Sequence, residues 1–302
     1  MNVRQLLDWH PGGVPGGLSG IRCDSSKGGR ELMQQRDAID WYNEGIALHI
    51  SGDRDGAIRC YDHALEIDPE YAAIWGSKGI ALYELGRYDE VIQCCNRALE
   101  IDPEFAAVWS TRGTVLTELG RYDEAIECYD CALAISPEDA TIWIGKGIAL
   151  CKLDRSDEEI HCYDRALEID SKNTWAWFFK GNALYQLNHY GEAVRCYDRA
   201  LEIDPGNAGI WSAKGFSLRE LGRYDEVIQC FDRALEIDPE DTDAWICKGF
   251  ALDELGRYDE AIQCYDHALE IDPGDTLAKS NREGALKKRG ATAKESDRGA
   301  SI

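Results

Sequence analysis

Apolar residues recur along the chain at helical spacing, in two stripes that repeat every 34 residues. In residues 72–105 the first stripe comprises Ile74, Trp75, Gly79, Ala81, Leu82 and Leu85, and the second comprises Tyr88, Val91, Ile92, Cys95, Ala98 and Leu99. Apolar residues three and four positions apart predict amphipathic helices. Gly86, between the stripes, can adopt the left-handed conformation that ends a helix, and Asp102-Pro103 ends the second one. Each unit is predicted to be a helix, a tight turn, a second helix and a turn.

The 34-residue period is strict over most of the chain. It is marked by tryptophan at position 4 of each unit: Trp41, Trp75, Trp109, Trp143, Trp177, Trp211 and Trp245. The units are residues 38–71, 72–105, 106–139, 140–173, 174–207, 208–241 and 242–275, numbered here as repeats one to seven. A fixed period of this length is typical of one supersecondary unit that is copied and stacked, because neither helix can bury its stripe alone.

The repeat resembles the tetratricopeptide repeat (TPR) family. The matching residues in repeat three are Trp109, Gly113, Ala125, Tyr129, Ala132 and Pro137. The resemblance covers 238 of 302 residues. It implies an all-α fold, a right-handed α-solenoid superhelix of seven TPR helix-turn-helix units. After them, residues 276–289 are predicted to form a C-terminal capping helix that covers the last apolar face.

The two ends of the chain differ in composition from the repeats. Residues 1–37 are predicted to be a disordered Gly-rich N-terminal extension, with residues 1–32 an upstream segment without a fold of its own, and residues 290–302 a disordered basic tail. The N-terminus lacks the pattern of a secretory signal, and no apolar run is long enough to span a membrane. We therefore expect a cytoplasmic protein that does not bind membranes.

Charge is concentrated in the repeats. The chain carries a net charge of −23, and residues 38–275 alone carry −28. A field of that sign repels phosphate backbones, so nucleic acid is not expected as a partner, whereas a segment with basic flanks would be attracted.

Seven of the twelve cysteines occupy one repeat position: Cys60, Cys94, Cys128, Cys162, Cys196, Cys230 and Cys264. Packed helices lie roughly 8–10 Å apart, and a disulfide needs Cα atoms within about 7 Å. Disulfides along this series are therefore excluded, and the thiols are interpreted as small buried side chains in a reducing compartment.

No catalytic or metal-binding constellation is recognisable. Three short pairs could each supply two metal ligands: Cys60/His63, Cys264/His267 and Cys128/Cys131. The three pairs lie on different repeats, whereas a structural zinc site needs four ligands that converge. No nucleophile lies beside a base, and no phosphate-binding loop follows a strand. We expect no enzyme activity, cofactor, metal or small-molecule substrate.

Position 7 departs from the family pattern, since it is basic in six repeats: Lys78, Arg112, Lys146, Lys180, Lys214 and Lys248. We expect their stems to lie on apolar surface and their charged groups to reach aspartates or C-terminal carbonyls of the preceding helix.

The candidate binding face follows from the resemblance and from helical spacing together. In the family, positions 2, 5, 9, 12 and 13 of each first helix line a concave groove, and this spacing defines one helical face. Aromatic residues are concentrated there in repeats five to seven, and the candidate partner-binding residues are Trp175, Phe178, Asn182, Tyr185, Phe216, Arg219 and Phe250. Such a groove suits an amphipathic helix or an extended apolar peptide, with Asn182 bonding the peptide backbone.

Two further expectations concern this face. Phe179, at position 6, is the aromatic residue expected to fill a gap between repeats. Replacing Phe178 and Phe216 by Ala should abolish partner capture and change the melting temperature little. No lysine occupies position 5 in any repeat, which argues against the clamp that some family members use for a C-terminal carboxylate.

Two functions remain open from the sequence. The first is a non-catalytic protein–protein interaction scaffold that holds a partner peptide or helix in its groove. The alternative is a structural subunit of a larger assembly, which associates through the solenoid ends or the acidic convex face. The oligomeric state is not determined by the sequence.

Repeat four should be the least stable. It has Asp154 in place of the turn glycine, Glu159 in place of a small residue, and Ser171 in place of proline. We expect amide hydrogens of residues 140–173 to exchange faster than those of residues 208–241 in the same sample. Equal protection of the two repeats would show that these substitutions carry no energetic penalty.

Overall fold

A computed structural model describes residues 36–299, and within that range every regular element is an α-helix. The first seven helices are α1 (Ala38–Ile50), α2 (Arg54–Ile67), α3 (Ala72–Glu84), α4 (Tyr88–Ile101), α5 (Ala106–Glu118), α6 (Tyr122–Ile135) and α7 (Ala140–Cys151). The others are α8 (Ser156–Ile169), α9 (Thr174–Gln186), α10 (Tyr190–Ile203), α11 (Ala208–Glu220), α12 (Tyr224–Ile237), α13 (Thr242–Glu254), α14 (Tyr258–Ile271) and α15 (Thr276–Gly299). The predictions for residues 1–35 and 300–302 lie outside the described range.

The chain divides into two compact units, and the division falls inside repeat four, between Arg155 and Ser156. In the first unit α1 to α7 pack in chain order, and α1, α3, α5 and α7 also contact one another in succession. In the second unit α8 to α15 pack in chain order, and α9 contacts α11. The helix pairs therefore stack within each unit, as the repeat pattern predicts.

The turn inside each repeat depends on a left-handed residue at position 15. Five repeats place glycine there, with φ between +69° and +90°. The other two place Asp154 (φ +55°) and Asn188 (φ +61°). Asp and Asn are the non-glycine residues that tolerate this conformation best, so the predicted turn at Asp154 is confirmed.

Each tryptophan from Trp75 onwards ties its repeat to the preceding one. The indole Nε1 donates to the main-chain carbonyl of position 32 in the previous repeat, at 2.9–3.0 Å in all six cases. Trp177 bonds the carbonyl of Ser171, although serine replaces proline there. All seven rings at position 4 are half-buried, so the residues that mark the period share one environment.

The basic residues at position 7 form a second inter-repeat contact. The lysines bond the aspartate at position 25 of the preceding repeat, with Nζ to Oδ1 distances of 2.5–2.6 Å at Lys78, Lys146, Lys180, Lys214 and Lys248. The same ammonium groups lie 5.3–5.9 Å from the tryptophan ring one turn earlier. The prediction that these side chains reach aspartates of the preceding helix is confirmed.

Repeat three is the exception in this series. The preceding repeat has Asn96 in place of the aspartate, and position 7 is Arg112 rather than lysine. The guanidinium lies 5.6 Å from the Trp109 ring, and its Nε is buried without a hydrogen-bond partner. The ion pair of the other junctions is therefore missing at this one.

In five repeats close packing between the two helices depends on glycine at position 8: Gly45, Gly113, Gly181, Gly215 and Gly249. The ring at position 24 lies against this glycine, so that an added Cβ on Gly45 would come within 2.5 Å of the Tyr61 ring. In repeat two position 24 is Cys95, and a Cβ on Gly79 would meet only ordinary contacts, the nearest at 3.6 Å. The glycine is thus required by the aromatic ring opposite it rather than by the turn.

The seven cysteines at position 23 are buried, as predicted. Burial raises the pKa of Cys94, Cys128, Cys196, Cys230 and Cys264 to about 11. These thiols therefore stay protonated at neutral pH.

The last helix is longer than the predicted cap of residues 276–289, since α15 continues to Gly299. Its first turns cover the end of repeat seven, with Ala278 and Ala285 fully buried. Arg282 bonds Asp266, which repeats the contact made by the position 7 lysines.

The glycine contact yields a matched pair of substitutions in neighbouring repeats. Gly45→Ala should lower the free energy of unfolding by about 1–3 kcal/mol, because the Tyr61 ring must move. Gly79→Ala should raise it by roughly 0.5–1 kcal/mol, because alanine favours the helix and meets no clash. Urea unfolding followed by circular dichroism measures both, and a loss of similar size in the two variants would rule out the ring contact as the cause.

The cysteine pKa values imply a loss of stability at alkaline pH. The unfolded chain releases thiol protons near pH 9, whereas the folded chain holds them to about pH 11. The contribution of these thiols to the free energy of unfolding is therefore fully present below pH 9 and is lost as the pH rises towards 11. Melting temperatures from pH 8 to 10 should fall less steeply for the Cys196→Ala/Cys230→Ala variant than for the wild type. Cys131→Ala, at an exposed position, is the control and should leave the slope unchanged.

Candidate functional site

The seven candidate binding residues lie on three first helices of the second unit, α9, α11 and α13. All seven side chains are half-buried, so each packs on the protein and keeps part of its surface open to solvent. Other positions of the same predicted face are buried, namely Thr114, Ile144 and, on α13 itself, Ile246. The helical face predicted from the family pattern is therefore only partly open.

The aromatic residues of α9 form one cluster. Trp175 meets Phe178 edge-on at 6.0 Å between ring centroids, and Phe178 lies 5.5 Å from Phe179. Phe179 stacks on Tyr163 of the preceding repeat at 5.9 Å and on Trp175 at 6.1 Å. The prediction that Phe179 fills a gap between repeats is confirmed, and it holds Trp175 in place.

Phe178 and Phe216 contribute to packing as well as to the surface. Phe178 lies 6.1 Å from the ring of the buried Tyr197, and Phe216 meets the buried Phe231 edge-on at 5.6 Å. Removing either ring therefore also removes contacts with the core, at a cost of about 1 kcal/mol or more. These contacts lead us to expect a lower melting temperature for the variants than the sequence pattern alone suggests.

Asn182 is held by the framework of its own repeat. Its Oδ1 accepts a hydrogen bond of 2.8 Å from the Tyr197 hydroxyl. In repeat three Thr114 makes the equivalent contact with Tyr129, at 3.2 Å. In these two repeats position 9 supplies a polar partner for the tyrosine at position 24, and the amide nitrogen of Asn182 is the part left to meet a ligand.

Arg219 of α11 lies beside Tyr185 of α9. Its guanidinium lies 5.4 Å from the Phe216 ring centroid and bonds Glu220 at 3.0 Å. The hydroxyl of Tyr185 lies near this guanidinium. Burial, with a smaller contribution from Glu220, raises the pKa of Tyr185, so the phenol stays neutral. The ring, the cation and the phenol form a fixed polar group beside the aromatic cluster.

Phe250 lies on α13, at the other end of this face, beside Tyr224 and Asp253, which are not among the seven predicted binding residues. Its ring lies 6.4 Å from Tyr224. Three positions later, Asp253 bonds Lys288 of α15 through one oxygen, Oδ2, at 2.6 Å. Nothing in the 34-residue pattern distinguishes Asp253, and the available signal is that position 12 is acidic in repeat seven alone among the seven repeats.

The remaining chemical side chains do not converge. Among residues 36–299 no three His, Cys, Asp or Glu side chains come together in a geometry that could hold a metal ion. His63 and His267 instead pack against Trp41 and Trp245, at 4.7 and 4.8 Å between ring centroids. No helix in the described range is both long and apolar enough to cross a bilayer.

Models of the tetratricopeptide repeat match most of the repeat region. One matches residues 72–105, 174–207, 208–241 and 242–275, and these limits coincide with four of the units defined by the tryptophan period. A second tetratricopeptide repeat model matches residues 104–172, and a model described as TPR repeat matches residues 45–86. The chain belongs to the tetratricopeptide repeat family. Tetratricopeptide repeats generally mediate protein–protein interaction and scaffolding.

Solved structures with the same fold are similar to this TPR protein at low identity. YrrB, described as a TPR protein with an unusual peptide-binding site, is 23% identical, with a TM-score of 0.56 over 63% of this chain and 97% of YrrB. A tetratricopeptide repeat protein from Parabacteroides merdae is 15% identical, with a TM-score of 0.60 over 82% of this chain and 98% of its own.

A third similar structure belongs to an assembly. The Cut9–Hcn1 hetero-tetramer of the APC/C contains a chain that is 17% identical, with a TM-score of 0.60 over 85% of this chain and 50% of that one. No protein of curated function matches the sequence. At these identities the likeness concerns the fold.

Proposed function

We propose that this TPR protein is a non-catalytic scaffold that binds a partner peptide or helix along α9, α11 and α13. The observation that carries the proposal is the set of aromatic side chains that are packed on one side and open on the other: Trp175, Phe178, Tyr185, Phe216 and Phe250. Rings fixed in this way lose little conformational freedom when a partner covers them.

The neighbouring polar groups favour a specific rather than a general apolar contact. The amide nitrogen of Asn182 is available beside Phe178, while its oxygen is fixed by Tyr197. Arg219 and Tyr185 supply donors and an acceptor between α9 and α11. A few oriented polar groups within an apolar surface are typical of peptide-binding grooves.

Charge favours a partner with basic flanks. The repeats carry a net charge of −28, which attracts cationic segments and raises their rate of association at low ionic strength. Basic residues that flank the apolar stretch of the partner would then determine where that stretch lies along the groove.

The test uses peptides selected from a random dodecapeptide display library on the full-length protein. A fluorescein-labelled selected peptide is titrated with wild type and with the Phe178→Ala/Phe216→Ala variant, and anisotropy measures the dissociation constant. We expect the double variant to weaken binding by about 100-fold, since two buried rings at roughly 1–2 kcal/mol each are lost.

Phe179→Ala is the matched control because it removes a ring of the same size that packs between repeats. It should lower the melting temperature and weaken binding by no more than about fivefold, through the loosened Trp175 ring. Equal binding by wild type and the double variant would refute the groove. Concentration-dependent self-assembly in light scattering, together with failure to select any peptide, would favour the alternative of a structural subunit.

A further inference from the structure

The end of the binding face formed by repeat seven holds a carboxylate with an unused acceptor. The Asp253 side chain is only 12% exposed. Its Oδ2 bonds Lys288, whereas its Oδ1 is buried and has no hydrogen-bond donor among the described residues. A buried acceptor without a donor costs about 1–3 kcal/mol, so this oxygen favours an incoming hydrogen-bond donor.

A second buried group without a partner lies in the same repeat. Tyr265 is 0% exposed, and its hydroxyl makes no hydrogen bond. Burial and, to a smaller extent, the negative charge of Asp253 raise the pKa of Tyr265. In repeats three and five the equivalent tyrosines bond Thr114 and Asn182, but position 9 of repeat seven is Phe250, which cannot accept.

Repeat six shows how a cation fits at this position of the helix. On α11 Phe216 and Arg219 are three residues apart, and the guanidinium lies 5.4 Å from the ring. On α13 Phe250 is likewise followed three residues later by Asp253. Phe250 and Asp253 therefore place a ring and a carboxylate on one face of α13, a combination that complements a guanidinium.

Lys288 pairs with only one of the two carboxylate oxygens of Asp253. Its ammonium bonds one oxygen of Asp253, and its side chain is 47% exposed. A lysine ammonium is a point donor, whereas a guanidinium can bond both carboxylate oxygens at once. The Lys288 side chain reaches the surface, and a guanidinium that takes the place of its ammonium would keep the charge of Asp253 paired.

We infer that Asp253 and Phe250 form a site for an arginine side chain of the partner, which displaces Lys288 and bonds both oxygens of Asp253. The inference rests on the proposed function and specifies the partner's chemistry: a segment whose arginine follows or precedes the apolar residues that cover Phe178 and Phe216. Charge complementarity selects this occupant over an acidic or neutral segment.

The experiment uses the peptides selected on the full-length protein, which should be enriched in arginine. One such peptide is made with arginine and with citrulline, which keeps the shape and removes the charge. Asp253→Asn should weaken the arginine peptide by about 10- to 100-fold and the citrulline peptide by no more than about twofold. Asp243→Asn, the same charge change at an exposed position of α13, is the control and should weaken both peptides slightly and equally.

A second variant gives a result that misfolding cannot produce. Lys288→Met keeps the aliphatic stem and removes the competing ammonium, so the arginine peptide should bind severalfold more tightly. Equal losses for the two peptides with Asp253→Asn, or equal losses in the Asp253 and Asp243 variants, would overturn the inference. Selected peptides that lack arginine but depend on Phe178 and Phe216 would overturn it while leaving the proposed function intact. Failure to select any peptide would remove both.

Discussion

Every helix pair in this protein has an apolar face that only the next pair can cover. Isolated pairs are too small to form a core, so the free energy that holds the fold together arises at the junctions between neighbours. Two recurrent polar contacts fix those junctions: the indole to a carbonyl of the preceding turn, and the lysine to the preceding aspartate. The indole bond recurs at all six junctions and the lysine bond at five of them, the exception being the junction of repeats two and three.

The period made most of the fold predictable from the sequence, because each element is defined seven times. Fourteen of the fifteen described helices fall within the predicted units, and Asp154 was recognisable as a turn residue from its tolerance of positive φ. The length of α15 was not predictable, since residues 290–299 lack apolar periodicity. The boundary between the two compact units lies among the irregular residues of repeat four, one of which, Glu159, is only 2% exposed.

The candidate site was predictable only in part, because the 34-residue period does not indicate which side chains of two different helices contact each other. Variation at positions 5, 9 and 12 led to the aromatic residues of α9, α11 and α13. It did not show that Asn182 serves Tyr197, nor that Phe216 lies against Phe231, since these pairs join two helices of a repeat. Asp253 was not predicted for a related reason, because the pairing of its two oxygens depends on contacts between α13 and α15.

The indole bond has an evolutionary consequence. Its acceptor is a main-chain oxygen, and Ser171 shows that the residue bearing this oxygen can change while the bond remains. Mutational drift in the loops therefore leaves the coupling of neighbouring modules intact, provided that the loop keeps its length. Duplication of a whole repeat preserves both the indole donor and the carbonyl acceptor. An array of this kind can therefore lengthen without a new type of contact between neighbouring repeats.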